Sequence, residues 1–298
     1  MFKLHGIYAP IATPFTNGKI AYDKLEKNLK FWLESDLSGV VVMGSNGEFV
    51  LLSPAEKEEL TRFVCSQAKG RKPVIVGTGA ESTMETNRLN KMAAEAGADA
   101  VLVVTPNYYK GDMTEPVLAR FYRDVADAST LPVILYNMPR NAGINISAKL
   151  ACELSKHPNI IGIKDSGGNI VQIADTIRNS AEGFSVFAGS ASYLYASLAL
   201  GATGGTLALA NVFPNECARL QKLFEAGKIK EARDLQMTLI DSNNAVTARW
   251  GIPGLKAAMD MIGLYGGDPR PPLLPLGETD REALRKVLMQ TGFLPQKG

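Results

Sequence analysis

The sequence predicts an α/β fold, a (β/α)8 TIM barrel with a C-terminal helical appendage. Short apolar segments rich in β-branched residues recur eight times along the 298-residue chain. Segments with helical periodicity alternate with them, and the residues after the eighth apolar segment show helical patterns only. Alternating strands and helices are typical of a parallel sheet, and about 250 residues suffice for a barrel of eight such units.

The eight apolar segments are the predicted strands. Most are continuously apolar rather than alternating, which is typical of strands covered on both faces. A count of eight favours closure into a barrel over an open doubly wound sheet. The predicted strands comprise residues 7–13, 40–43, 74–76, 100–105, 133–136, 160–164, 185–188 and 204–209.

Helix-start signals lie between the strands. Ser53 and Glu56 form an S-x-x-E pattern that predicts a capping box, and Ser82 and Glu85 form another. After the last strand, helices are predicted near residues 215–225, 229–248, 254–262 and 280–289.

The helical C-terminal part has no Ser/Gly-rich linker before it, so a second independent domain is not expected. We therefore expect residues 1–225 to form a barrel that carries the active site. Residues 226–298 should form a helical extension packed on that barrel.

Composition and charge exclude several classes of protein. Hydrophobic residues make up 46% of the chain and charged residues 21%, which is typical of a globular protein. The formal net charge of +2 offers no argument for binding nucleic acid or an anionic membrane. The turn after the first strand reads T-P-F-T-N-G, which is not a dinucleotide-binding G-x-G-x-x-G, and the chain has no Walker A motif.

The cysteines and histidines predict neither a disulfide scaffold nor a metal centre. Cys65, Cys152 and Cys217 are far apart, and the chain has only two histidines. No cofactor is therefore expected, and a reducing, cytoplasmic location is the default. The N-terminus lacks the apolar region of a signal peptide. The uncharged residues 183–215 contain several helix breakers, so they predict a buried strand, helix and strand rather than a membrane span.

Lys164 is the one lysine at the carboxyl end of a predicted strand, where barrel enzymes build their active sites. It follows an apolar segment, so its side chain should enter an apolar barrel mouth. Desolvation there disfavours the ammonium ion and favours the free amine that attacks a carbonyl substrate. The alternative is an ion pair with Asp165 or another carboxylate at the rim, and the residues alone do not choose between the two.

Tyr136 ends the neighbouring strand, and its phenol could move a proton beside Lys164. The alternative is a packed ring with a satisfied hydroxyl. Residues 44–47, G-S-N-G, could form a backbone nest for a carboxylate or phosphate, or an ordinary tight turn. Tyr108 could be a hydroxyl donor, an aromatic wall or an interface anchor. Together these features indicate a metal-free class I aldolase or lyase that acts on a 2-oxo acid.

The same segments resemble the dihydrodipicolinate synthase/N-acetylneuraminate lyase superfamily of pyruvate-dependent class I aldolases. G-S-N-G-E at residues 44–48 resembles the carboxylate loop G-[ST]-x-G-E. Y-N-M-P at 136–139 resembles the family's Y-N-x-P segment. G-I-K-D at 162–165 resembles G-[IM]-K-[DE], the strand of the family that carries its lysine. Within the superfamily the sequence is most similar to the 4-hydroxy-2-oxoglutarate aldolases, for example in V-V-T-P-N-Y-Y-K-G at 103–111 and G-I-P-G-L-K at 251–256.

The resemblance implies a role for each site residue. Lys164 would form an imine with pyruvate, Tyr136 would be the acid/base, and Ser45 would pass protons to a Tyr108 supplied by a neighbouring subunit. The family is commonly a homotetramer, built as a dimer of dimers. The residues expected to bind the substrate are Ser45, Asn46, Gly47, Asn141, Gly189, Ser190 and Thr206.

One position departs from the synthase branch of the superfamily. That branch has Y-N-x-P-x-R, whereas this chain has Asn141 at the last position and an arginine, Arg140, one place earlier. The departure favours cleavage of 4-hydroxy-2-oxoglutarate to pyruvate and glyoxylate. The alternatives are a dihydrodipicolinate synthase, another 2-oxo acid lyase or dehydratase, a non-catalytic 2-oxo acid binding barrel, and a phosphate-sugar isomerase with a phosphate site at residues 201–205.

Overall fold

The computed structural model describes residues 2–294, and within them eight parallel strands form a closed barrel. Each strand pairs with the next in sequence, and the eighth pairs with the first, so the predicted (β/α)8 fold is confirmed. The strands are β1 Gly6–Pro10, β2 Gly39–Val42, β3 Val74–Gly77, β4 Ala100–Val104, β5 Val133–Asn137, β6 Ile160–Asp165, β7 Ser185–Ala188 and β8 Gly204–Thr206.

Helices follow the strands and cover the outside of the barrel. The α-helices are α1 Tyr22–Glu34, α2 Pro54–Ala68, α3 Thr83–Glu95, α4 Glu115–Ala128, α5 Pro139–Ala142, α6 Ala148–Leu154, α7 Ile170–Asn179, α8 Leu194–Ala199, α9 Pro214–Glu225, α10 Ile229–Asn244, α11 Gly251–Met261 and α12 Glu278–Gln290. Short 3-10 turns occupy Ser45–Gly47, Phe49–Leu51, Lys110–Asp112, Ala191–Tyr193 and Ala208–Asn211.

A two-stranded hairpin after β1 was not predicted. Phe15–Thr16 pairs with Lys19–Ile20, and the turn between them is Asn17-Gly18. Both turn residues have positive φ, 51° and 74°, as the tight hairpin turn that favours Asn-Gly requires. The two strands are too short to produce the alternating pattern by which a hairpin is recognised.

The first predicted capping box is confirmed, and the second is only half formed. At Ser53 both reciprocal hydrogen bonds with Glu56 are present. Ser82 Oγ accepts the Glu85 N–H at 3.1 Å, but the Glu85 carboxylate binds Arg88 through two bonds of 2.7 Å. Two charge-assisted bonds to a guanidinium outcompete one backbone N–H, and therefore Glu85 does not turn back to the helix start.

Strand alternation sorts side chains into two buried layers. Inward-facing residues such as Tyr8, Ile134 and Phe187 fill the barrel lumen, whereas their neighbours pack against the surrounding helices. In β5 and β6 the inward residues at the carboxyl ends are Tyr136 and Lys164. The barrel therefore places both side chains at one mouth, above an apolar floor.

The C-terminal helices pack on the barrel as a continuation of its helical ring. α10 packs on α8 and α9, and a π-helix, Ala245–Arg249, joins α10 to α11. The helix predicted over residues 229–248 is therefore α-helical only to Asn244. The proposed division at residues 225/226 stays a prediction, and residues 295–298 of the predicted extension lie outside the described residues.

The uncharged residues 183–215 contain β7, α8 and β8, in agreement with the predicted strand, helix and strand. Across residues 2–294, the structure has no helix with both the length and the apolar character needed to cross a bilayer.

Candidate active site

Lys164 and Tyr136 lie side by side at the mouth of the barrel. The two residues are register partners on β6 and β5. Lys164 Nζ lies 4.0 Å from the centroid of the Tyr136 ring, and their exposed fractions are only 4% and 5%. A cation over an aromatic face is attracted by the ring, so the phenol holds the amine in the mouth.

The alternative ion pair of Lys164 with Asp165 is wrong. Asp165 follows Lys164 on the strand and therefore faces the opposite side of the sheet. Its carboxylate accepts hydrogen bonds from Asn137 Nδ2 at 2.8 Å, Gln172 Nε2 at 3.0 Å and the Gly167 N–H at 2.8 Å. Between residues 2 and 294, no carboxylate lies within salt-bridge distance of Lys164.

The Tyr136 hydroxyl faces polar groups of the site rather than the apolar core. It lies 3.4 Å from Ser45 Oγ. Burial by itself would raise the pKa of Tyr136. The charge of Lys164 and hydrogen bonds from Ser45, Lys164 and Ser166 act the other way, and the net result is a pKa below the usual value of a phenol. A lowered pKa makes the phenolate available as a base nearer to neutral pH.

The loop after β2 presents Ser45 and Asn46 to the mouth. Its 3-10 turn is flanked by Met43 and Glu48, which both have φ of +56° although neither is glycine. Such left-handed residues are uncommon, and the surrounding contacts must hold them in place. Gly47 lies behind the loop, where its carbonyl accepts a hydrogen bond from Thr13 Oγ1 at 2.8 Å.

A cavity of about 450 Å³ opens above Lys164 and contains most of the predicted site. The predicted residues that line it are Lys164, Tyr136, Ser45, Asn46, Asn141, Gly189, Ser190 and Thr206. Gly47 and Tyr108 do not line this cavity. Gly47 was expected in the substrate-binding set, but it is buried, and its N–H already donates to the Gly44 carbonyl at 3.0 Å.

Sequence analysis missed the far wall of the cavity. Asn243, at the end of α10, is 1% exposed and donates hydrogen bonds of 2.8 Å to both Ser190 Oγ and Ser192 Oγ. The π-helix follows it along the wall, and Arg140 Nη2 donates to the Ala248 carbonyl at 3.2 Å. π-helical turns often occur at functional sites, but a single turn leaves no clear signal in hydrophobic periodicity.

Tyr108 is exposed and does not line the cavity of its own chain. It is 78% exposed, and the ring of the 67% exposed Tyr109 meets it edge-on at 5.1 Å between centroids. The backbone beneath it is held firmly, because Glu81 Oε2 accepts the N–H groups of Asn107 and Tyr108, each at 2.9 Å. An exposed side chain on an ordered loop is available to a neighbouring molecule.

The described part of the chain, residues 2–294, holds no cluster of three or more His, Cys, Asp or Glu side chains that could bind a metal ion. Its cysteines are free thiols. Burial raises the pKa of Cys65 to about 12, so that thiol is unreactive at neutral pH.

Comparison with known proteins identifies the family. The model of the dihydrodipicolinate synthetase family matches residues 3–291. A 4-hydroxy-tetrahydrodipicolinate synthase from Syntrophus aciditrophicus is 37% identical over 294 residues, which cover 99% of this chain and 100% of that protein. A probable mitochondrial 4-hydroxy-2-oxoglutarate aldolase from Emericella nidulans is 35% identical over 292 residues, which cover 96% and 94%.

Solved structures agree with this assignment. The 4-hydroxy-tetrahydrodipicolinate synthase of Methylacidiphilum fumariolicum SolV matches with a TM-score of 0.93 and 32% identity, over 97% of this chain and 96% of that chain. A prophage protein of the same family from E. coli K12, in complex with pyruvate, matches with a TM-score of 0.92 and 30% identity, over 97% and 98%.

The family assignment excludes two of the alternatives, the non-catalytic binding barrel and the phosphate-sugar isomerase. Relatives named as synthase and as aldolase differ by only two percentage points in identity, 37% and 35%, so identity does not separate the two activities. The predicted superfamily is confirmed: this chain belongs to the dihydrodipicolinate synthetase family and is a class I, pyruvate-dependent carbon–carbon lyase.

Proposed function

We propose that the enzyme cleaves 4-hydroxy-2-oxoglutarate into pyruvate and glyoxylate through an imine on Lys164. The observation that carries this proposal is the buried Lys164 amine against the ring of Tyr136, whose hydroxyl meets Ser45. An amine in an apolar mouth, beside a phenol of lowered pKa, matches the needs of imine chemistry. No metal or other cofactor takes part in the proposed reaction.

The proposed reaction begins when Lys164 Nζ attacks the C2 carbonyl and water leaves to form a protonated imine. The Tyr136 phenolate then takes the proton of the C4 hydroxyl, and the C3–C4 bond breaks. The electron pair of that bond moves into C2–C3 and gives an enamine, while C4 leaves as the aldehyde carbon of glyoxylate. Protonation at C3 and hydrolysis of the imine release pyruvate and restore the free amine.

The loop after β2 would hold the carboxylate of the pyruvate part. Ser45 and Asn46 both line the cavity. Asn46 Nδ2 is buried and has no hydrogen-bond partner among residues 2–294. A buried donor without a partner costs free energy, and a bound carboxylate would satisfy it. Thr206 and Gly189 line the same cavity and would complete the pyruvate pocket.

Arg140 is proposed to recognise the second carboxylate, which becomes that of glyoxylate. It lines the cavity, and the Ala248 carbonyl engages only one of its two terminal nitrogens. The remaining N–H groups would donate hydrogen bonds to a carboxylate, as guanidinium groups commonly do. Asn141 is uncharged and would add neutral hydrogen bonds. Ser190, which lines the same cavity, would bind the C4 hydroxyl.

A comparison of two substrates tests the assignment. We expect cleavage of 4-hydroxy-2-oxoglutarate to exceed condensation of pyruvate with aspartate semialdehyde by at least about tenfold in kcat/KM, or ~1.4 kcal/mol. The double substitution Arg140→Ser/Asn141→Arg restores the synthase spacing and should narrow that gap. Both reactions are followed by pyruvate formation or consumption, with Arg120→Ser, which alters an exposed arginine on α4, as the matched control.

The competing function is 4-hydroxy-tetrahydrodipicolinate synthase, which is the name of several similar proteins. A wild-type preference for aspartate semialdehyde would establish it and reject the aldolase proposal. If the double variant kept the wild-type ratio of the two kcat/KM values, Arg140 and Asn141 would not determine substrate choice.

We also propose that the enzyme is a homotetramer in which Tyr108 completes the site of a neighbouring subunit. The 78% exposure of its side chain, which does not line the cavity of its own chain, supports this arrangement. Tyr108→Phe should therefore lower turnover by about 10²-fold if the hydroxyl relays protons. Mixed with inactive Lys164→Ala subunits, it should regain activity, because some sites combine an intact Lys164 with an intact Tyr108.

The mixing experiment uses purified variants, with subunit exchange verified by native mass spectrometry. Tyr109→Phe is the matched control, since its ring is beside Tyr108 and similarly exposed. Exchanged mixtures that remain as slow as the Tyr108→Phe enzyme would contradict a shared site.

A further inference from the structure

The loop after β2, residues 44–48, is proposed to bind the substrate carboxylate and is called the carboxylate loop. A fully buried ion pair joins it to the C-terminal extension. Glu48, three residues after Ser45, ends the loop in a left-handed conformation, and its N–H donates to the Ser45 carbonyl at 3.1 Å. Its side chain turns away from the cavity and meets Lys256 of α11 at 2.6 Å between Oε1 and Nζ. The side chains are 0% and 1% exposed, respectively.

Lys256 is itself held from several sides. Its Nζ donates to the Asp268 carbonyl at 3.0 Å and lies 4.4 Å from the centroid of the Phe15 ring. A Cβ built on Gly266 would lie 2.0 Å from the Lys256 carbonyl oxygen, so the backbone after α11 is pressed directly onto this helix. Glu48 Oε2 also accepts the Arg270 N–H at 2.7 Å. The pair therefore has little freedom to move.

The same helix forms part of the active-site cavity. Ile252 and Leu255 of α11 line the cavity, and Lys256 is the next residue along the helix. Ser45 and Asn46 line the same cavity. A single helix thus contacts both the wall of the site and the residue that ends the carboxylate loop.

We propose that Glu48 and Lys256 are a positioning pair that locks the carboxylate loop in its binding conformation. Neither side chain lines the cavity above Lys164, so neither acts on the substrate directly. Their contact fixes the left-handed turn at Glu48, and this turn determines where Ser45 and Asn46 lie relative to Tyr136. The inference rests on the carboxylate-binding role proposed for that loop.

The physical basis is the cost of leaving a buried charge without a partner. When one member is substituted, the charge of the other remains in a low-dielectric interior without a partner. The strained backbone at Glu48 then loses the contact that holds it. The loop would relax to a more favourable conformation. Such relaxation should weaken substrate binding more than it slows the chemical step, because Lys164 and Tyr136 lie on other strands.

Borohydride trapping of the pyruvate imine at varied pyruvate concentration tests the pair. The variants are Glu48→Gln, Lys256→Met, the double substitution, and Glu48→Asp, which keeps the charge but shortens the side chain. We expect the pyruvate concentration for half-maximal trapping to rise about tenfold in each single variant, with a smaller change in maximal rate. The double substitution should be no worse than the more damaging single one, because both remove the same interaction.

Arg281→Met is the matched control. It removes a half-buried ion pair between α12 and α11, at 3.1 Å between Arg281 Nη2 and Asp260 Oδ2, and leaves the loop untouched. It should lower the melting temperature but keep wild-type half-saturation within about twofold. Wild-type half-saturation in folded Glu48→Asp or Lys256→Met enzyme would overturn the inference. A wild-type enzyme that traps no pyruvate would instead refute the proposed function.

Discussion

Lys164→Ala should abolish the trapping of pyruvate by borohydride and lower turnover by at least about 10³-fold, or ~4 kcal/mol. The reason is that Lys164 is the amine buried in the barrel mouth, 4.0 Å from the Tyr136 ring centroid. No other group in the cavity among residues 2–294 supplies a primary amine. Intact mass and peptide mapping should place a single reduced adduct of wild-type enzyme on Lys164, in buffer that contains EDTA because the proposed reaction needs no metal.

Two further variants make this experiment specific. Lys164→Met retains most of the apolar stem and should fold normally while remaining inactive. Lys149→Ala removes a lysine that is 83% exposed on α6 and should leave trapping unchanged. An adduct on another lysine, or an active Lys164→Ala enzyme, would refute the imine mechanism.

Tyr136→Phe should lower kcat by roughly 10²–10⁴-fold with little effect on folding. The substitution removes one oxygen, which lies 3.4 Å from Ser45 Oγ. The matched control is Tyr122→Phe, since Tyr122 is also buried but its hydroxyl donates to the Val103 carbonyl outside the site. The control should cost about 1 kcal/mol of stability and leave the rate unchanged.

The pH profile provides a second measurement of the same prediction. In the proposed mechanism the Tyr136 phenolate is the base, so kcat/KM of wild-type enzyme should rise with pH as Tyr136 loses its proton. Because the pKa of Tyr136 is lowered, this rise should occur below the pH at which an ordinary phenol ionises. In Tyr136→Phe the rise should disappear. A variant that keeps both the wild-type rate and the wild-type rise would assign the base to another group.

The barrel was predictable from sequence because its signals are local. A buried strand reads as a short apolar segment, and Ser53 with Glu56 forms its capping box within one helical turn. Lys164 and Tyr136 could be found for the same reason, since each ends a strand and the carboxyl ends of barrel strands meet at one mouth. Successive side chains of a strand point to opposite faces, which explains why Lys164 faces the cavity while Asp165 faces the helices.

Where several local partners competed, sequence patterns were less informative. Glu85 has the correct spacing from Ser82 for a full capping box, yet it binds Arg88. The ion pair considered for Lys164 and Asp165 involved adjacent residues, but the strand points them apart. In both cases the sequence offered two chemically reasonable partners, and only side-chain geometry distinguished them.

The sequence by itself determined the alternation of eight strands with helices, the strand ends and the candidate for the reactive amine, Lys164. Only the tertiary structure decided that Asn243 holds Ser190, that a π-helix lines the cavity and that Glu48 is paired with Lys256. The physical reason is distance along the chain. Glu48 and Arg270, for example, are 222 positions apart, and such contacts arise from packing of the whole barrel rather than from any local pattern of residues.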